Sequence, residues 1–142
     1  MEEKRVLFLC TGNTARSQMA EAFLRKHAGE HFDAFSAGLN PGIIHPHTER
    51  VMREIGIDLS GQYSKSMKEY FGKMSLAYLV TVCAKAEENC PSTFPSVSNR
   101  LRWSFDDPAA AEGSEDVKLQ KFREVRDQIE QRILQWLKEE EF

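Results

Sequence analysis

The sequence predicts a single α/β domain, residues 1–142, built on a four-stranded parallel sheet flanked by helices on both sides. Two apolar runs, "RVLFLC" at 5–10 and "LAYLVTVC" at 76–83, read as buried strands. Segments with three- and four-residue apolar spacing alternate with the strand segments, which implies crossover helices and parallel pairing. With 142 residues, 41% hydrophobic and 29% charged, the chain has the length of one domain, large enough to bury roughly two-thirds of its unfolded surface.

Taken in order, 5–10 is the first strand, ended by Gly12. Residues 16–27 carry Met19, Ala20, Phe23 and Leu24 on one helical stripe. "DAFSA" at 33–37 alternates as a second strand and stops at Gly38, and Pro41-Gly42 marks a turn in the loop beyond it. Thr48 is placed to cap a helix containing Val51, Met52 and Ile55, stopped by Gly56. A short helix is expected over 65–71, and 76–83 is the strongest strand. "RLRWSF" at 100–105 is the fourth strand. From Ser114 a long helix runs with Phe122, Val125, Ile129, Ile133 and Trp136 on one face.

A net charge of −3 argues against general nucleic-acid binding, which uses a basic face. The only apolar run near the start is five or six residues long, too short for a signal-peptide core or a membrane span. A reducing cytoplasm is therefore expected, where three cysteines point to catalysis or metal binding.

The chemistry concentrates where the first strand ends. In a parallel sheet, ligands collect at the carboxyl ends of strands. After Cys10, residues Thr11, Gly12, Asn13, Thr14 and Ala15 have side chains small enough for successive N–H groups to form an anion-binding nest. The following helix aims its positive end there, and Arg16 adds a planar fork for two oxygens of an oxyanion. That field is expected to lower the Cys10 thiol pKa, to roughly 3.5–7.5. A structural cysteine before an ordinary turn is the alternative, and Cys-x5-Arg-Ser between a strand and a helix weighs against it. Asp106 and Asp107, before Pro108, read either as an acid on a loop or as a solvated turn. Cys83 ends its strand as Cys10 does. If those strands are neighbours, the ends lie about 5 Å apart, a separation a disulfide accepts. Zinc is the rival for Cys83 and Cys90, but Cys-x6-Cys is not a common zinc spacing. His45 and His47 read as ordinary loop residues, and inert buried cysteines are the other alternative.

"VLFLCTGNTARSQMAEAF" resembles the phosphate-binding loop of the low-molecular-weight protein tyrosine phosphatase superfamily, and within it the thioredoxin-coupled arsenate reductases. The resemblance extends through "SAG" at 36–38, "GIDLS" at 56–60, "TVCAKAEENCP" at 81–91 and "WSFDDPA" at 103–109. It implies Cys10 as nucleophile, Arg16 as oxyanion binder, Ser17 as hydrogen-bond donor to the thiolate, Asn13 as the residue that shapes the loop, and Asp107 as general acid. It further implies arsenate as substrate, a relay in which Cys83 attacks Cys10 and Cys90 takes over the disulfide, and thioredoxin as the reductant, with no metal or organic cofactor. A phosphatase working through a phosphorylated Cys10 and a non-catalytic oxyanion sensor are the competing readings. Tyrosines that commonly follow the Asp-Pro of the phosphatases are replaced by Ala109, Ala110 and Ala111, which favours a small inorganic substrate. Ala15 stands where several relatives have a further cysteine. Lys65 stands where some relatives have an acidic residue that helps hold a potassium ion near the counterparts of Asn13, Glu21 and Ser36. Either its ammonium takes the ion's place, or it is a solvated lysine on a loop, the norm for this residue. Residues 84–89, "AKAEEN", are good helix formers. Seven residues of helix advance about 10 Å, so a disulfide between Cys83 and Cys90 is expected to unwind them.

Overall fold

The computed structural model describes residues 4–70, 72–84 and 96–142. Strands β1 (Lys4–Cys10), β2 (Phe32–Gly38), β3 (Leu76–Thr81) and β4 (Val97–Arg102) form one sheet in the order β2-β1-β3-β4. Every neighbouring pair is parallel. β1 is central and buried from Val6 to Cys10 on both faces, which is why it reads as an unbroken apolar run. Helix α1 (Arg16–Ala28) links β1 to β2, α2 (Pro46–Arg53) follows β2, and α3 (Glu115–Glu139) ends the fold.

The face carrying Phe8, Phe32 and Tyr78 receives α3 through Trp136, whose ring centroid lies 5.1 Å from Phe32 and 5.0 Å from Tyr78. On the other face Phe35 packs on Tyr70, beside a 3-10 turn at Met67–Glu69. Phe8, Phe23 and Phe122 are among the largest fully buried side chains. Each removes enough apolar area from water to stabilise the fold by about 1.5–3 kcal/mol. Ser114 caps α3 by accepting from the Val117 N–H, with Glu115 and Asp116 in the first turn facing the positive end of the dipole.

Four elements depart from expectation at their boundaries. α2 begins earlier: His45 is its cap, accepting from the His47 N–H, and Pro46 fills the first helical position, where a missing N–H costs nothing. It ends at Arg53, so Ile55 lies just beyond it, and Gly56 takes the left-handed conformation (φ 82°) of the exit turn. Instead of a short helix over 65–71 there is the single 3-10 turn. β3 stops at Thr81, although the Val82 N–H still reaches the Leu9 carbonyl at 3.0 Å. β4 starts three residues sooner than the apolar pattern suggests and its exposed positions hide it, since it is an edge strand. The helix expected over 84–89, and Cys90 with it, lies outside the described residues apart from Ala84.

This topology fixes where a ligand belongs. From β1 the chain moves to β2 on one side, then crosses to β3 on the other. The order reverses at β1, and the crevice opens beyond the carboxyl ends of β1 and β3. Cys10 and Cys83 sit there.

Candidate active site

The loop after β1 is held open from behind. Leu39 N–H donates to the Cys10 carbonyl at 3.1 Å, Asn40 to Thr11 at 2.8 Å, Gly42 to Gly12 at 3.0 Å and His45 to Thr14 at 3.0 Å. The chain leaving β2 thus runs alongside the loop and takes its carbonyls. Gly38 permits that approach: a Cβ there would meet the Thr11 carbonyl oxygen at 2.8 Å and the Asn13 nitrogen at 3.0 Å. Asn13 is buried and left-handed (φ 55°), a conformation asparagine tolerates better than most residues. Its Oδ1 accepts from the Lys65 N–H at 3.0 Å, and its Nδ2 donates to Ser17 Oγ at 2.8 Å. A hydroxyl that accepts in this way keeps its own hydrogen for another acceptor. α1 starts at Arg16 with Ala15 as its cap and no side-chain capping bond, so its first-turn N–H groups remain for a ligand.

Arg16 reaches across to the loop after β4. Its Nη1 donates to the Phe105 carbonyl at 3.0 Å, and its Nη2 lies 3.9 Å from Asp107 Oδ2. Asp107 is half-exposed, and its Oδ1 accepts from the Ala109 N–H at 3.0 Å. Asp106 turns away to Lys121 at 3.0 Å. The two adjacent acids are therefore separated in place: Asp107 faces the arginine, Asp106 the solvent side of α3.

Cys10 and Cys83 are both buried. Cys83 Sγ lies 3.4 Å from Thr11 Oγ1, in the residue that follows Cys10. This corrects the expectation of a lowered Cys10 pKa. The Cys83 hydrogen bond, then burial, push the Cys10 thiol well above its ordinary range, while Arg16 and the Thr11 N–H pull the other way.

The low molecular weight phosphotyrosine protein phosphatase family model matches residues 5–141. The chain belongs to this family. It is similar to an arsenate reductase of Halalkalibacterium halodurans, 46% identical over 134 residues that cover 94% of each protein. Its fold is similar to that of an arsenate reductase in the phosphate binding state, with a TM-score of 0.81 at 29% identity, covering 96% of this chain and 98% of that one. An arsenate reductase in oxidized state superposes with a TM-score of 0.76 at 30% identity, covering 92% and 93%.

Within this family frame the structure places Cys10, Thr11, Gly12, Asn13, Thr14, Ala15, Arg16 and Ser17 on one turn of chain, and Cys83 and Asp107 beside it. Cys90 lies outside the described residues. Lys65 is buried, with Nζ 3.0 Å from the Tyr63 carbonyl and 3.6 Å from Glu21 Oε1, which also accepts from Ser36 Oγ at 2.6 Å. Burial lowers the Lys65 pKa, and Glu21 opposes that shift. Sequence reasoning missed the residues behind the loop. Gln18 Nε2 donates to the Asn13 carbonyl at 3.1 Å and the Tyr63 carbonyl at 2.9 Å, Ser64 Oγ donates to the Asn13 carbonyl at 2.6 Å, and Thr48 Oγ1 donates to the Thr14 carbonyl at 3.0 Å. Thr48 was expected to cap a helix, and no periodicity marks Ser64 or Gln18. Apart from the Asn13 carbonyl that Gln18 reaches, their partners are main-chain atoms far away in sequence.

Proposed function

We propose that this protein, acting as one cytoplasmic domain over its 142 residues, reduces arsenate to arsenite by a relay of Cys10, Cys83 and Cys90 and is itself reduced by thioredoxin. The observation that carries the reading is that two buried cysteines share the mouth of the loop, Cys83 Sγ lying 3.4 Å from the hydroxyl of Thr11, the residue after Cys10. A phosphatase of this fold needs one thiol and water. A second thiol beside the first is what a reductase needs.

Arsenate occupies the nest of residues 11–16, with Arg16 opposite its charge. Cys10 attacks arsenic; the thiol and HAsO₄²⁻ give Cys10–S–AsO₃²⁻ and water, Asp107 delivering a proton to the departing oxygen. Arg16 and the α1 N-terminus hold the negative charge of the adduct. Cys83 sulfur then attacks Cys10 sulfur. The S–S bond forms, the S–As bond breaks, and its electron pair leaves with arsenic, which becomes arsenite. Cys90 attacks Cys83 and frees Cys10, and the Cys83–Cys90 disulfide passes to the external dithiol by exchange. No metal or organic cofactor enters these steps. Ser17, its oxygen already accepting from Asn13, donates to the Cys10 thiolate. In a cell this activity serves arsenic detoxification.

The test is arsenite production by the purified chain with thioredoxin, its reductase and a reduced nicotinamide, against a glutathione–glutaredoxin control. Arsenite formed at a rate that follows thioredoxin concentration is expected. Oxyanion binding with no thiol consumed would make the protein a sensor, and hydrolysis of small aryl phosphates without arsenate turnover would make it a phosphatase.

A further inference from the structure

Two consecutive carbonyls of the loop each accept two hydrogen bonds from outside. The Asn13 carbonyl takes Ser64 Oγ at 2.6 Å and Gln18 Nε2 at 3.1 Å. The Thr14 carbonyl takes Thr48 Oγ1 at 3.0 Å and the His45 N–H at 3.0 Å. We propose that Thr48 and Ser64 are positioning residues for oxyanion binding, fixing from behind the two peptide planes whose N–H groups, those of Thr14 and Ala15, meet the ligand. The proposal rests on the oxyanion reading of the site given above.

No peptide bond among the described residues is cis. In a trans peptide the N–H points opposite to the C=O, so anchoring the Asn13 and Thr14 carbonyls outward directs the Thr14 and Ala15 N–H groups to the other side, toward the nest. Among the described residues no protein acceptor takes either N–H. A carbonyl that accepts two bonds is also more polarised, which makes the N–H of the same peptide a stronger donor. Gly12, one residue before the left-handed Asn13, removes side-chain restraint from this stretch, so local sterics alone do not hold the planes. The two hydroxyls come from opposite sides. Thr48 is fully buried in the first turn of α2, and Ser64 lies in the segment that leads to Lys65. Neither hydroxyl belongs to the loop it orients.

Calorimetry with inorganic phosphate on the reduced full-length protein tests this, with Thr48→Val and Ser64→Ala as independent arms and Thr48→Ser and Ser64→Thr as rescues. Each truncation removes one of two bonds on its carbonyl, so the phosphate Kd is expected to rise about five-fold, and both together more than ten-fold. The conservative hydroxyl variants are expected to stay within about two-fold of the starting protein, on the same hydrogen-bond scale. In turnover, KM for arsenate rises with kcat retained, because the N–H bonds serve the bound ground state and the transition state alike. Amide NMR separates positioning from plain destabilisation: the phosphate-induced shifts of Thr14 and Ala15 shrink in the truncated variants while that of Gly12 persists. If the starting protein binds no phosphate, the oxyanion reading falls and the clamp with it. If it binds and both truncations bind equally well with unchanged Thr14 and Ala15 shifts, the clamp alone is overturned.

Discussion

At the scale of single residues, two cysteines of like chemistry hold different positions, and the proposed relay assigns them different duties. Cys10 lies at the foot of the nest with Arg16 opposite, while Cys83 approaches it from β3 and touches Thr11. Cys10→Ser is expected to abolish arsenate reduction and any aryl phosphatase activity together, because both need the same thiolate. Cys83→Ser should abolish reduction and leave slow aryl phosphate hydrolysis; repeated arsenate turnover by this variant with thioredoxin would sink the relay. The raised Cys10 pKa has a signed consequence too. Its largest cause is the Cys83 hydrogen bond, so Cys83→Ala should move the pH midpoint for iodoacetamide alkylation of Cys10 downward, leaving burial against Arg16 and the Thr11 N–H. An unmoved midpoint would show that the thiol pair is not the cause. Asp107→Asn should slow formation of the first adduct by about 10²–10⁴-fold with oxyanion binding kept, the usual range for loss of a general acid, whereas Asp106→Asn, at an exposed pair with Lys121, should change the rate little.

At the scale of elements, the loop is only as rigid as the segments behind it. α2 meets the loop through its first turn and is fastened to α3 at its other end. Arg126 Nη1 donates to the Val51 carbonyl at 2.9 Å and meets Glu54 at 3.0 Å, and Arg123 holds Glu54 at 2.8 Å. These cations, Arg123 foremost, depress the Glu54 pKa from 4.5 to about 2. A depressed carboxylate stabilises the fold above its unfolded pKa and loses that contribution as pH falls through the folded value. The contribution of Glu54 is therefore whole above about pH 4.5 and gone below about pH 2. Acid titration of stability should show this limb in the starting protein, and a curve of unchanged shape in Glu54→Gln would contradict it. On the other side, the buried Lys65 ammonium lies beside Glu21 and the Tyr63 carbonyl, where a bound potassium ion would compete for the same oxygens. Activity is accordingly expected to be equal in potassium and sodium at constant ionic strength; clear potassium stimulation would rule out Lys65 as the built-in cation.

At the scale of the whole molecule, the last helix is clamped to the sheet through Trp136. Trp136 packs among Phe32, Tyr78 and Trp103, yet among the described residues its indole N–H has no hydrogen-bond partner. A buried donor left unpaired costs about 1–3 kcal/mol. Trp136→Phe removes that cost while sacrificing some ring packing, so it should change stability by less than about 1.5 kcal/mol, the range of tolerated apolar swaps. Trp136→Ala should cost about 3–5 kcal/mol. Denaturant unfolding of both variants checks the pair, and equal losses would mean that the N–H has a partner after all. Among the described residues no helix is long and apolar enough to cross a membrane.

The sequence by itself determined the elements and the chemistry carried on contiguous residues. An unbroken apolar run ending in Cys-x5-Arg-Ser specifies a buried strand, a nest and a helix start, because each depends on neighbours in the chain and on local periodicity. It also placed Cys83 at the end of a second strand, which the structure stops two residues earlier at Thr81. It left Asp107 open between an acid on a loop and a solvated turn until the family resemblance chose the acid. Only the tertiary structure decided which strands adjoin, and so that Cys83 meets Cys10 closely enough to raise its pKa when the loop's own field was expected to lower it. It alone turned Asp106 and Asp107 to different partners. It also brought Thr48 and Ser64 to loop carbonyls 34 and 51 positions away, and Gln18 to the Tyr63 carbonyl 45 positions away. Those contacts pair side chains with backbone atoms, and a backbone carbonyl is the same in every residue. Such a partner leaves no mark in composition or spacing, and only folding the chain back on itself selects it.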